Sequence, residues 1–311
     1  SLGKKINASI FWIKKNEIAW IEMSQICGLK DLKRKEMNPM KTSTYGVGLI
    51  INYVINKGCK KLYLGLGGSS THDMGTGIFM ALGGGLLDIN SLPISKGGGG
   101  LLECEKINFV NLNPKIRSCK IILAVDVDNP LLGKNGAAEI YSPQKGATPK
   151  MVKDLEIGSR KFAALVEKST KKKNINIKGG GSAGGTSAGL YGLVNAEIEN
   201  GFNILEKLVG FESYIKSSDL VISGEGHLDN QSKHGKLINK IGILTKKNNK
   251  PLICISGKVS LNEKEYNSLG ISKAWASSPL NYPLQKSIEN AYMLLKNKAE
   301  VAIKIYLNQK Q

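Results

Sequence analysis

The stretch Gly65–Gly77, Gly-Leu-Gly-Gly-Ser-Ser-Thr-His-Asp-Met-Gly-Thr-Gly, constrains the fold of this chain more than any other. Before it runs Lys60-Lys61-Leu62-Tyr63-Leu64, a short apolar segment that reads as a buried strand. After it comes Ile78-Phe79-Met80-Ala81-Leu82, which reads as the start of a helix. A strand, a glycine turn with hydroxyls and a helix together hold anions. Glycine lets the backbone approach closely, and N–H groups, hydroxyls and the helix dipole then point at a phosphate or carboxylate. No Gly-Lys-Ser/Thr closes the stretch, so it is not a Walker loop, and its glycine spacing is not the dinucleotide fingerprint. The bland alternative is a tight connection. Asp73 beside Ser69, Ser70 and Thr71 favours a functional turn.

With 311 residues the chain is long enough for one large domain or two ordinary ones. No apolar run reaches the roughly 20 residues needed to span a membrane, and Ser1-Leu2-Gly3-Lys4-Lys5 carries no signal-peptide core. Cys27, Cys59, Cys104, Cys119 and Cys254 are scattered and form no Cys-x-x-Cys pair. They read as reduced thiols of a cytoplasmic protein, without a disulfide framework or thiolate metal site. The net charge of +19 raises a nucleic-acid reading. Against it, the lysines are dispersed, with small clusters only at Lys171–Lys173 and Lys246-Lys247, and aromatic residues for base stacking are 6% of the chain. A cationic surface also suits small anions.

Ala8–Trp12 and Ile18–Met23 read as a β-hairpin. Thr44–Asn56 has helical apolar spacing and ends at Gly58, a C-cap signal. Gly83–Gly85 and Gly97–Gly100 read as loops, the second a flexible connection. Lys120–Val127 reads as a strand whose carboxyl end carries Asp126 and Asp128, where open α/β sheets place ligands. Thr148 and Pro149 are a natural N-cap and first residue for a helix reaching about Lys168. The second glycine cluster, Gly179–Gly192, permits either close helix packing or a phosphate cradle. Asp219–Ser223, Pro251–Ser256 and Lys273–Ser277 read as strands and Ile288–Tyr306 as an amphipathic helix, so the C-terminal part is a parallel α/β sheet.

Acids therefore gather at three places: Asp126 with Asp128, Glu225 with Asp229 in the run Gly224-Glu225-Gly226-His227-Leu228-Asp229, and Asp73. Such acids suit magnesium, which takes one or two carboxylates beside substrate phosphates, or a general base for a hydroxyl. Lys145, between Gln144 and Gly146, offers a cation to a carboxylate or phosphate. The histidines His72, His227 and His234 lack the spacing of a zinc site, and no Gly-x-Ser-x-Gly elbow is present. The residues alone indicate an α/β enzyme that handles a phosphorylated or acidic small molecule.

Taken together, Gly65–Gly77, Asp126–Leu131, Tyr141–Thr148, Gly181–Gly189 and Asp219–Gly235 resemble the type I glycerate kinases in order and spacing, over nearly the whole chain. The resemblance implies ATP-dependent phosphorylation of D-glycerate to 2-phosphoglycerate with Mg2+. It implies two α/β domains: a mixed-sheet domain, residues 1–212, and a flavodoxin-like one, here 213–311. It assigns Asp126 and Lys145 to catalysis and Ser69, Ser70, Thr71, Asp73, Asn129 and Gln144 to substrate. Gly67, Gly68, Gly224, Glu225 and Gly226 go to the nucleotide, and Asp126 with Asp229 to metal. Family members begin with a further stretch absent here, so a truncated relative is expected, with an inactive ligand-binding remnant or a basic nucleic-acid-binding protein as alternatives. Met74 stands where the family has a second glycine, His72 where it has Asn, Ser142 where it has Gly, and Ile238 where it has Pro.

Overall fold

The computed structural model describes residues 1–14, 17–233 and 237–308. The chain forms two compact units, Ser1–Gly201 and the part from Phe202 on. The second unit thus starts before residue 213, because Phe202 and Phe211 pack against its core.

In the first unit, β1 (Phe11–Lys14) and β2 (Ile18–Glu22) form the expected hairpin, with a register shift between Trp12 and Lys14. Strands β3 (Lys61–Gly65), β6 (Lys120–Ala124) and β7 (Glu197–Glu199) continue the sheet in the order β1-β2-β3-β6-β7. Only β1 runs antiparallel to its neighbour, so the sheet is mixed. Alternation decides its faces. Ala19, Ile21, Leu62, Leu64, Ile121 and Leu123 share one core with Val47, Ile51, Val54 and Ile55 of the helix Tyr45–Asn56. The opposite face carries Trp20 stacked on Tyr63, ring centroids 5.7 Å apart.

A small antiparallel pair, β4 (Gly85–Leu87) with β5 (Lys106–Asn108), takes up part of what read as loop. Gly97–Gly100 is not a flexible connection. A Cβ at Gly97 would stand 2.6 Å from the Met40 carbonyl oxygen and one at Gly98 2.7 Å from that of His72, so the run lies tight against its neighbours. The long helix Pro149–Thr170 starts as its sequence dictates, with Thr148 Oγ1 accepting from Met151 N at 3.3 Å. Its Phe162, Ala163 and Val166 meet Met74, Phe79, Leu131 and Ala188 in a second core.

In the second unit, β8 (Val221–Ser223), β10 (Leu252–Ser256) and β12 (Lys273–Ala276) form a parallel sheet of order β12-β10-β8. Both faces are covered, as parallel sheets require. Leu252 and Cys254 pack with Ile238 and Ile241 of the helix Leu237–Lys247. Ile253 and Ile255 pack with Ala302 of the helix Ala291–Asn308. Two short strands, β9 (His227–Leu228) and β11 (Lys258–Val259), pair in parallel beside it. The expected single helix Ile288–Tyr306 is divided: Leu284–Glu289 ends at Asn290, and Ala291–Asn308 follows. Among the described residues, no helix is long and apolar enough to cross a membrane.

Candidate active site

Strand register places the candidate site. Glu22, Gly65, Ala124 and Glu199 stand in one row at the carboxyl ends of β2, β3, β6 and β7. The residues that follow, among them Gly67, Gly68, Asp126 and Asn200, therefore share one edge of the sheet, the edge where open α/β sheets bind ligands. A groove of about 740 Å³ lies at the opposite edge, but its Lys60 and Lys120 are already paired with Glu17 and Glu197, each at 2.8 Å.

The glycine turn is organised by an internal anion. Asp73 is fully buried. Its Oδ2 accepts from Thr44 N at 2.8 Å, Thr44 Oγ1 at 3.0 Å, Ser43 Oγ at 3.3 Å and Gly77 N at 3.3 Å, and its Oδ1 from Gly75 N at 3.1 Å. The helix it caps, Thr76–Ala81, has only six residues, and Thr44 Oγ1 also takes the Ile78 N–H at 3.1 Å. The helix N-terminus read from sequence as an anion site is thus closed by the protein's own carboxylate. Burial raises the Asp73 pKa, and the donors from Thr44, Gly75 and Gly77 pull it back.

Lys145 sits behind the same turn, in the single 3₁₀ turn Pro143–Lys145, almost wholly buried. Its Nζ donates to Thr71 O at 2.7 Å and to Ser69 Oγ at 3.1 Å. Desolvation lowers its pKa to about 8, opposed by the neighbouring Cys27 and Asp73. Cys27 is pushed up to about 12, by burial first and then by Asp73. His72 is buried with Nε2 3.1 Å from Ser159 Oγ; burial, then the charge of Lys145, lowers its pKa to about 3, so the ring is neutral.

The hydroxyls also face inward. Ser69, Ser70 and Thr71 are buried, and Ser70 Oγ donates to Cys27 O at 2.9 Å. At the surface the turn instead offers Gly67 and Gly68, both exposed. They line a shallow pocket of about 690 Å³ with Glu22, Ser24, Leu29, Lys30, Leu32 and Met37. Sequence reading missed Glu22, although its signal was present: it is an acid at the end of a correctly read strand, as Asp126 is.

Asp126 is exposed, and its Oδ1 accepts from Asn200 Nδ2 and Gly201 N, both at 3.1 Å. Asn129 is fixed within its loop: its Nδ2 donates to Asn135 O at 2.9 Å, and its Oδ1 accepts from Tyr141 OH at 2.6 Å. Gln144 is exposed. Ser142 turns its hydroxyl onto Ala138 O at 2.5 Å and keeps a right-handed backbone, so this position does not require glycine. Met74 does adopt a left-handed backbone, with φ 49°.

The second glycine cluster is a packing surface. A Cβ at Gly184 would stand 2.3 Å from Thr71 O, and one at Gly189 1.7 Å from Met74 O. Gly184 O accepts from Met74 N at 3.1 Å, so this cluster supports the first turn from behind.

In the second unit, Gly224 is pressed on Ile255 O, which a Cβ would meet at 2.3 Å. Ser232 Oγ donates to Glu225 Oε1 at 2.5 Å, and Asp229 Oδ1 accepts from Gln231 N at 2.9 Å. His227 Nε2 lies 2.7 Å from Ser260 Oγ. His234, Gly235 and Lys236 fall outside the described residues. Among the described residues, no group of three or more His, Cys, Asp or Glu side chains is placed to hold a metal ion.

The model of the glycerate kinase family matches residues 1–307. The chain is 35% identical over 298 residues to a glycerate kinase of Halalkalibacterium halodurans, covering 96% of this chain and 78% of the relative. It is 34% identical over 291 residues to the glycerate 2-kinase of Escherichia coli K12, covering 94% and 76%. A crystal structure assigned to a glycerate kinase 2 of Salmonella typhimurium LT2 superposes with TM-score 0.83 at 32% identity, over 100% of this chain and 81% of that one.

Proposed function

We infer the function of this chain from one premise: it belongs to the glycerate kinase family. The proposed reaction transfers a phosphoryl group from ATP to a hydroxyl of D-glycerate, giving 2-phosphoglycerate, in the cytoplasm. The observation that carries this reading is the row of strand ends at one sheet edge, where an exposed glycine backbone stands among acidic side chains. Phosphoryl transfer asks a protein mainly for positioning and charge neutralisation, and such an edge suits both.

In this reading the backbone at Gly67 and Gly68 receives anionic oxygens. Ser69, Ser70, Thr71 and Asp73 shape the turn from inside. Lys145 acts from behind it, lending positive potential in a low-dielectric setting. Asn129 and Gln144 orient the acceptor. Gly224, Glu225, Gly226 and Asp229 of the second unit serve the nucleotide. Mg2+ fits the residues present only as a companion of the nucleotide: Asp126 is one exposed carboxylate with Oδ1 tied down, and magnesium takes one or two carboxylates beside phosphates. The ion would supply charge neutralisation between the phosphates.

The test is glycerate-dependent ADP release from magnesium-ATP, with the product identified by NMR. We expect 2-phosphoglycerate, and turnover reduced by at least about 100-fold in Asp126→Asn. No glycerate-dependent ADP would reject the reading, a 3-phosphoglycerate product would correct its regiochemistry, and near-normal Asp126→Asn would remove Asp126 from the reaction.

A further inference from the structure

The pocket beside Gly67 and Gly68 is lined by two charged side chains, Glu22 and Lys30. Glu22 is held in place. Its Oε1 accepts from Trp20 Nε1 at 2.5 Å, which fixes the carboxylate. A Cβ on Gly65 would lie 2.3 Å from Glu22 Oε2, so the carboxylate lies over the Gly65 backbone in space that only glycine leaves. No protein donor meets Oε2 among the described residues. Lys30 is exposed and has no ion-pair partner among the described residues. Its segment is tied to the glycine turn: Leu29 N donates to Gly68 O at 2.9 Å, and Gly28 bridges to Ser69. The apolar residues Leu29, Leu32 and Met37 line the same pocket.

A fixed carboxylate with an open oxygen accepts a hydroxyl proton in a hydrogen bond. An exposed ammonium receives a carboxylate. Apolar side chains in the same pocket suit a short carbon chain. We propose that this pocket is the acceptor subsite for a small hydroxy acid, with Glu22 holding its hydroxyl and Lys30 its carboxylate. This rests on the glycerate kinase reading and adds to it two residues and an orientation. Glu22 would thereby fix which hydroxyl is presented for transfer.

The test is calorimetric binding to the full chain, with no nucleotide needed, using D-glycerate, propionate, which has no hydroxyl, and glycerol, which has no carboxylate. Wild type is expected to prefer D-glycerate to both. Glu22→Gln keeps an acceptor for Trp20 Nε1 and the fit over Gly65, so its melting temperature should be unchanged. Its D-glycerate affinity should fall roughly 10- to 100-fold, toward that for propionate, the scale of a charged hydrogen bond. Lys30→Gln should weaken D-glycerate and propionate alike and leave glycerol unaffected. Wild type that binds D-glycerate while folded Glu22→Gln binds it equally well would overturn this subsite and leave the kinase reading standing. Wild type that binds no D-glycerate would overturn this subsite, while glycerate-dependent ADP release decides the kinase reading separately.

Discussion

Gly65–Gly77 and Gly179–Gly192 are both dense in glycine, serine and threonine, and both belong to the first unit, yet their glycines meet different neighbours. A Cβ at Gly67 would find nothing within 4 Å, whereas Gly184 and Gly189 are pressed against backbone carbonyls of the first turn. At Gly67 and Gly68 the first cluster shows backbone to solvent at the carboxyl edge of the sheet, although its Gly65 and Gly77 are packed closely. The other has given up its side chains so that two backbones can touch. Composition cannot separate these uses, because the deciding quantity is what stands where the missing Cβ would be.

Gly189→Ala is the largest way to break this contrast. Its Cβ would fall 1.7 Å from Met74 O, a backbone atom that cannot move without the turn. We expect a loss of more than about 4 kcal/mol or failure to fold, read by urea denaturation. A stable variant would show that the second cluster is not a packing surface.

Asp73→Asn comes next. The replacement puts an amide NH₂ among N–H and O–H donors that now converge on a carboxylate. A cost on the order of 3 kcal/mol is expected, from leaving buried donors without acceptors. Unchanged stability would make Asp73 free for a ligand.

A further effect is pH-dependent. The folded pKa of His72 is lowered to about 3 from 6.5. Between these values the unfolded chain binds the proton and the folded one does not, so stability is lost as pH falls from 6.5 toward 3. His72→Gln, whose amide reaches about as far as the ring Nε2 that meets Ser159 Oγ, should flatten that limb. An equally steep acid limb in the variant would place the loss elsewhere. Gly67→Ala should do least to the fold, changing stability within about 0.5 kcal/mol, while weakening D-glycerate binding. A large stability loss there would erase the difference between the two clusters.

Strand and helix identities were legible where pattern and punctuation agreed: the β3 run before the first glycine turn, the Thr148-Pro149 helix start, and the alternating strands of the second unit. The place of Gly65–Gly77 at the carboxyl end of a strand was legible too. Its chemistry was less so, because burial is a property of tertiary packing. Ser69, Ser70, Thr71 and Asp73 look from sequence like a ligand-facing set, yet their neighbours Thr44, Cys27 and Lys145 come from distant segments and turn them inward. Glu22 escaped notice because its partner glycine, Gly65, lies on the next strand, a relation that only register reveals. The break at Asn290 was hidden because the apolar spacing continues across it.

The most direct measurement is amide NMR of the folded chain during titration with D-glycerate. Shifts are expected at the Gly67 and Gly68 amides and at the Trp20 indole N–H that holds Glu22, with Gly184 and Gly189 little moved. Shifts concentrated at Gly184 and Gly189, with Gly67 and Gly68 unmoved, would place the ligand at the second cluster and contradict the assignment of the site to the carboxyl edge of the sheet.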